Sequence, residues 1–211
     1  MNFSRATSCA GACRIAKDED IRSVARIHLV AFRGFFLSEL GYEFLCAMYR
    51  AFLRSPCGLF VVFETEPDRV VGFAVGALQR RNDRWLAIRF LPHFLVAIVP
   101  AIMRNPVQTV KRLIARFIDG GVAPQVPKGA AVLRSIAVLP SFRGFGAATC
   151  LIKDFELLAL SKGARQVFLT TDELNNTSVQ RFYERCGYNL FCRFHQDSKR
   201  AMWLMSKDIK L

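Results

Sequence analysis

The segment Ile136-Ala-Val-Leu-Pro-Ser-Phe-Arg-Gly-Phe-Gly-Ala-Ala148 combines residue types suited to holding a phosphate. A run of β-formers over 131–139 stops at Pro140, and Arg143, Gly144, Phe145 and Gly146 then lead into a helical pattern opened by Ala147 and Ala148. Glycines at 144 and 146 let the backbone approach an anion. The unpaired N–H groups and dipole of a helix start favour negative charge there, and Arg143 adds a positive fork. An ordinary strand-to-helix turn has the same outline. The loop lacks the Gly-Lys-Ser/Thr ending of a nucleotide P-loop and the third glycine of a dinucleotide fingerprint. About thirty residues on, Asn176-Thr-Ser-Val-Gln-Arg-Phe-Tyr-Glu-Arg-Cys-Gly-Tyr188 places a side-chain amide and a phenol on one short helix.

The pair of segments resembles the acyl-CoA-binding region of GNAT N-acetyltransferases. That family's pattern is strand, Arg/Gln-x-x-Gly-x-Gly/Ala loop, helix, strand, then Asn-x-x-small-x-x-apolar-Tyr-x-x-x-Gly-aromatic. The match covers 131–195, is softer over 13–80, and is absent from 84–118. It implies an acetyl transfer from acetyl-CoA to an amine by direct attack in a ternary complex, with no metal. Ile136 and Val138 would offer backbone groups to the pantetheine arm, and Arg143, Gly144, Phe145, Gly146, Ala147 and Ala148 would cradle the pyrophosphate. Asn176 would hold the arm near the thioester and Tyr183 would protonate the departing thiolate.

Where family members carry a glutamate base, this chain has Val132 on one strand and Thr170 and Thr171 on the next. Val179 stands where Ala is commoner. The base is therefore unassigned among Asp172, Glu173, Glu64 and a water chain. An alkylammonium with a pKa near ~10.4 still needs a route for its proton at neutral pH. The missing glutamates also keep open a module that binds acyl-CoA without catalysis.

The elements that must position these residues follow from periodicity and punctuation. A strand over 13–16 precedes a helix capped at Asp18, whose buried face is Ile21, Val24, His28 and Phe32, with His28 packed rather than reactive. A second helix buries Phe44, Leu45, Met48 and Phe52 and stops before Ser55-Pro56. Gly58 to Glu64 and Val70 to Leu78 form an antiparallel hairpin. After strand 131–139 come a helix to about Gly163, a strand over 165–171, a helix over 176–185, and strands over 188–194 and 201–207. The expected fold is α/β, more narrowly α+β: a mixed, mostly antiparallel central sheet flanked by helices. One domain spans 13–211 after an extension over 1–12, with a helical insertion near 84–118.

The 211 residues suit one core, and 52% hydrophobic content with 19 Phe excludes a disordered chain. The net charge of +13 is uneven: from Arg80 to Arg116, eight Lys and Arg face Asp83 alone. Such a surface suits an anionic membrane, a nucleic acid, a phosphorylated substrate or cofactor phosphates. The apolar run 85–103 is interrupted by Arg89, Pro92, His93 and Pro100, so a bilayer span is not expected. The insertion reads either as a peripheral membrane contact or as an acceptor lid, and slightly favours an anionic acceptor such as a nucleotide-linked amino sugar. Small-molecule and peptide amines both remain acceptors, nucleic acid is not the expected partner, and a homo-oligomer is open. Seven cysteines without a CxxC pair suggest buried thiols, and with no secretion signal the expected compartment is the cytoplasm.

Overall fold

The computed structural model describes residues 11–66, 69–79, 99, 103, 124–197 and 200–210. Seven strands make one sheet: β1 (Ala12–Ile15), β2 (Gly58–Glu64), β3 (Val70–Leu78), β4 (Ala131–Val138), β5 (Gln166–Asp172), β6 (Asn189–Asp197) and β7 (Arg200–Asp208). Their order is β1-β2-β3-β4-β5-β7-β6, and every neighbouring pair is antiparallel except β4 and β5. That parallel pair needs a crossover, which the helix between the two strands supplies.

Helices α1 (Ile21–Ala31), α2 (Phe36–Glu39) and α3 (Tyr42–Arg54) precede the hairpin; α4 (Ala147–Ser161) and α5 (Thr177–Arg185) flank β5. Helices α1 and α3 cover one sheet face through Ile21, Val24, Leu45 and Tyr49 against Phe60, Val62, Phe73 and Ala137. Helix α4 covers the other face, its Leu151, Ile152 and Phe155 packing on Leu59, Val61, Ala74 and Leu133. Tyr183 of α5 belongs to that same cluster. Full burial of each such side chain contributes about 1.5–3 kcal/mol, so the sheet is clamped from both sides.

Both α4 and α5 end in the same backbone device. Gly163 and Gly187 adopt φ of 90° and 88°, and the next N–H reaches back to Ala159 and Tyr183 respectively, closing the last turn. The strand limits expected for 58–64 and 70–78 agree with those observed. Three details differ. A 3-10 turn over Asp18–Asp20 precedes α1, and the short α2 stands where only a glycine-marked break was expected. In α3 Leu45 is fully buried as expected, but Met48 is only partly buried and Tyr49 is fully buried beside it, its hydroxyl meeting His28 across the core at 2.5 Å. The insertion expected near 84–118 lies outside the described residues apart from Val99 and Met103, both helical.

Candidate active site

A bulge in β4 sets the site. Val75 of β3 pairs with Ser135, but the next residue, Gly76, pairs with Leu133, so Arg134 is an extra residue on β4. Bulges bend a strand and increase its twist. Pairing of β4 with β5 stops at that point: Ala131, Val132 and Leu133 meet Val167, Phe168 and Leu169, and no later residues are in register. The carboxyl ends of the two strands therefore part into a slot. The bulge also shifts the side-chain phase. Ala131 and Leu133 face α4 before it, and Ile136 and Val138 do so after it.

The backbone edge of the slot follows from one hydrogen bond. Leu139 N–H donates to the Val71 carbonyl on β3 at 2.9 Å, and strand alternation then turns the N–H and C=O of Ile136 and Val138 the opposite way, toward the slot. At the end of β4, a 3-10 turn over Pro140–Phe142 redirects the chain, and the guanidinium of Arg69 lies 5.6 Å from the Phe142 ring. Gly144 and Gly146 both sit at positive φ, 83° and 81°, where other residues are strained. Gly146 is the N-cap of α4 with no side-chain cap, and the first intrahelical bond is Cys150 N–H to Gly146 C=O. The N–H groups of Ala147, Ala148 and Thr149 therefore remain for a ligand or water. Arg143 and Phe145 are exposed beside them.

The second sequence segment closes the slot from the β5 side. Asn176, the N-cap of α5, donates its Nδ2 to Thr171 Oγ1 at 2.6 Å. Gln180, 7% exposed, donates through Nε2 to the carbonyls of Asp172 and Glu173, each at 2.9 Å. These bonds fix the β5–α5 connection, where Asn175 takes a positive φ of 56°. Tyr183 is 7% exposed, its ring 5.9 Å from that of Tyr188 and 5.3 Å from Phe182. Burial pushes its phenol well above the usual tyrosine range, and nearby Cys186 adds to the shift. It stays protonated at neutral pH and is a reluctant acid.

The three carboxylates considered as bases are all engaged. Asp172 takes two bonds from Arg200, at 2.5 and 2.9 Å, while that guanidinium lies 5.5 Å from the ring of Phe35 in the α1–α2 connection. Glu173 pairs with Arg193 at 3.3 Å. Glu64, two strands from β4, accepts from Arg14 at 2.8 Å. The slot thus gathers Ile136, Val138, the 143–148 loop and Asn176 along its rim. Among the described residues, the three carboxylates considered as bases are each held by an arginine rather than left uncommitted there.

Residues that the pattern of the sequence did not single out include Gln180 and Arg200. Gln180 had a signal: it is a polar residue one turn after Asn176, on the stripe that buries Tyr183. Arg200 had none, since its partner is 28 residues away in sequence.

Among the described residues no helix is long and apolar enough to cross a membrane, and no cluster of three His, Cys, Asp or Glu is arranged for a metal. No match was found among curated protein sequences. Solved structures of the same fold include Ard1 from Thermoplasma volcanium, with a TM-score of 0.61, 18% identity, and coverage of 96% of this chain and 99% of that one. Another is yncA, a putative acetyltransferase from Salmonella typhimurium with its cofactor acetyl-CoA (TM-score 0.59, 14% identity, 95% of each chain). A third is the ribosomal-protein-S18-alanine N-acetyltransferase from Escherichia coli (TM-score 0.57, 13% identity, 95% of each chain). The family model for the acetyltransferase (GNAT) family matches residues 21–188, most of the sheet and both segments that line the slot, and the chain belongs to that family.

Proposed function

We propose that the protein binds acetyl-CoA in the β4–β5 slot and transfers the acetyl group to a primary amine of a small molecule or peptide. The observation that carries this reading is the parting of β4 from β5 beside a helix start whose glycines hold positive φ. A thioester arm can pair with the free backbone of Ile136 and Val138 as an added strand would. Its pyrophosphate is then met by the N–H groups of 144–148 and by Arg143, and Asn176 flanks the arm near the thioester. The amine attacks directly, and Tyr183 donates a hydrogen bond to the sulfur as charge builds on the departing thiolate, with solvent completing the protonation. Because Asp172, Glu173 and Glu64 are held by arginines, the amine proton leaves through water.

The same three ion pairs favour a second reading, a module that binds coenzyme A without turning it over. A thiol-release assay with acetyl-CoA and a panel of amines, run beside calorimetry with coenzyme A, separates the two. Release with any amine supports the enzyme. Binding without release across the panel supports the module, and absence of coenzyme A binding removes both.

A further inference from the structure

Thr171 stands on the strand where some members of the family carry a glutamate base, and its hydroxyl is no substitute for a carboxylate in that role. Its surroundings give it a different one. Pairing of β5 with β4 ends at Leu169, two residues earlier, so Thr171 lies on the β5 lip of the slot. Leu169 packs in the cluster under α4, and strand alternation turns Thr171 to the same face, which is also the face of Ile136 and Val138. There Thr171 is 6% exposed.

A buried hydroxyl needs a partner, and Asn176 supplies one by donating its Nδ2 to Thr171 Oγ1 at 2.6 Å. This bond is not what closes the β5–α5 connection. Gln180 does that through its two bonds to the carbonyls of Asp172 and Glu173. What the Thr171 bond adds is the orientation of one amide. An Asn at an N-cap commonly turns its side-chain oxygen onto the first N–H groups of its own helix, but Asn176 makes no such bond. Its Nδ2 is spent on Thr171, while Oδ1 accepts no hydrogen bond among the described residues.

We propose that Thr171 is a positioning residue for Asn176: by taking Nδ2 it leaves Oδ1 to accept an amide N–H of the pantetheine arm. This rests on the acetyl-CoA reading above and names the atom of Asn176 that meets the coenzyme. An amide can flip, and the flipped form would set its NH2 group against an N–H of the arm, donor facing donor. An amide already held in one orientation has less freedom to lose when the arm arrives. Without the Thr171 hydroxyl both orientations compete, and part of the binding energy goes into selecting one.

The test compares two ligands by calorimetry: coenzyme A, and adenosine 3′,5′-bisphosphate, which keeps the nucleotide and lacks the arm. Thr171→Val has nearly the same volume and no hydroxyl. It should weaken coenzyme A roughly 2- to 12-fold, the range for one hydrogen bond lost, and leave the bisphosphate unchanged. Thr171→Ser should restore coenzyme A affinity. In an Asn176→Ala background, Thr171→Val should add no further loss, because Thr171 acts through Asn176. A merely structural role would weaken both ligands together. Unchanged coenzyme A affinity in Thr171→Val, equal losses for the two ligands, or additive losses in the double variant each overturn the proposal. Failure of the wild type to bind coenzyme A overturns the acetyl-CoA reading itself and the proposal with it, and is seen before any variant is compared.

Discussion

Arg200 grips Asp172 with both arms of its guanidinium, Nε to Oδ1 at 2.5 Å and the second arm to Oδ2 at 2.9 Å. Asp172 is the carboxylate at the open end of β5, so position alone would make it the natural base. To take a proton it must give up a bidentate pair, in which both oxygens are already accepting. Asp172→Asn should therefore lower turnover by less than ~10-fold, against the ~10²–10⁴-fold expected for loss of a general base. Because both partners are about a third exposed, the cost in stability should stay near or below ~1 kcal/mol. Steady-state rates with saturating amine, and melting curves beside them, check both figures; a hundredfold loss would identify Asp172 as the base.

Gly146 caps α4 at φ 81° and ψ −3°, with the N–H groups of the first turn directly after it. A side chain there costs roughly 1–2 kcal/mol in backbone strain, and a carboxylate adds a negative charge where the pyrophosphate must sit. Gly146→Ala should lower the melting temperature and weaken coenzyme A binding moderately. Gly146→Asp should abolish binding while staying folded. Calorimetry on the two variants separates strain from charge, and equal affinities in both would move the phosphate site elsewhere.

How far these features were legible depends on the distance over which each is encoded. The glycine-bearing loop and the Asn176–Tyr183 helix are local patterns, and both stand where the sequence implied. Hairpin limits were legible because Ser55-Pro56 and the turn before Val70 punctuate the runs. The bulge at Arg134 left a fainter trace: apolar residues at 131 and 133 are followed by apolar residues at 136 and 138, a change of phase within one strand. Ion pairs such as Arg14–Glu64, 50 residues apart, depend on strand register and carry no local signal. Tyr49 was displaced from view by Met48, since a helical stripe alone does not show which of two adjacent residues meets a partner across the core.

His28 ties stability to pH. Burial lowers its pKa from the usual 6.5 to about 4, so the unfolded chain takes up the proton first as the solution is acidified. Stability from this group is full above about pH 6.5 and is lost as pH falls toward 4, where the folded form also protonates. By linkage the loss is about 2 kcal/mol at pH 5 and ~3 kcal/mol in all. His28→Gln should be less stable than wild type at pH 7, having lost the Tyr49 contact, yet should lose less between pH 7 and 5. Denaturant titrations at the two pH values give the difference, and parallel losses in both proteins would mean that His28 is not the titrating group.

Tyr183 carries the largest chemical demand in the proposed reaction. Its ring packs on Tyr188 and Phe182, and its phenol is pushed upward by burial, so the hydroxyl keeps its proton across the working range of pH. A thiolate leaving group with a pKa near ~8.5 is a weaker base than this phenolate, which makes full transfer uphill. The hydroxyl therefore acts by donating as charge builds on sulfur, and any complete transfer is finished by solvent. Tyr183→Phe removes that donor and keeps the ring. Turnover should fall at least ~10-fold, while acetyl-CoA affinity and melting temperature stay nearly constant. The wild-type rate should show no decline from Tyr183 ionisation at mildly alkaline pH, because the raised pKa places that ionisation beyond it. Equal rates in wild type and variant, with chemistry shown to limit turnover, would remove Tyr183 from the mechanism and leave it as a core residue that closes α5.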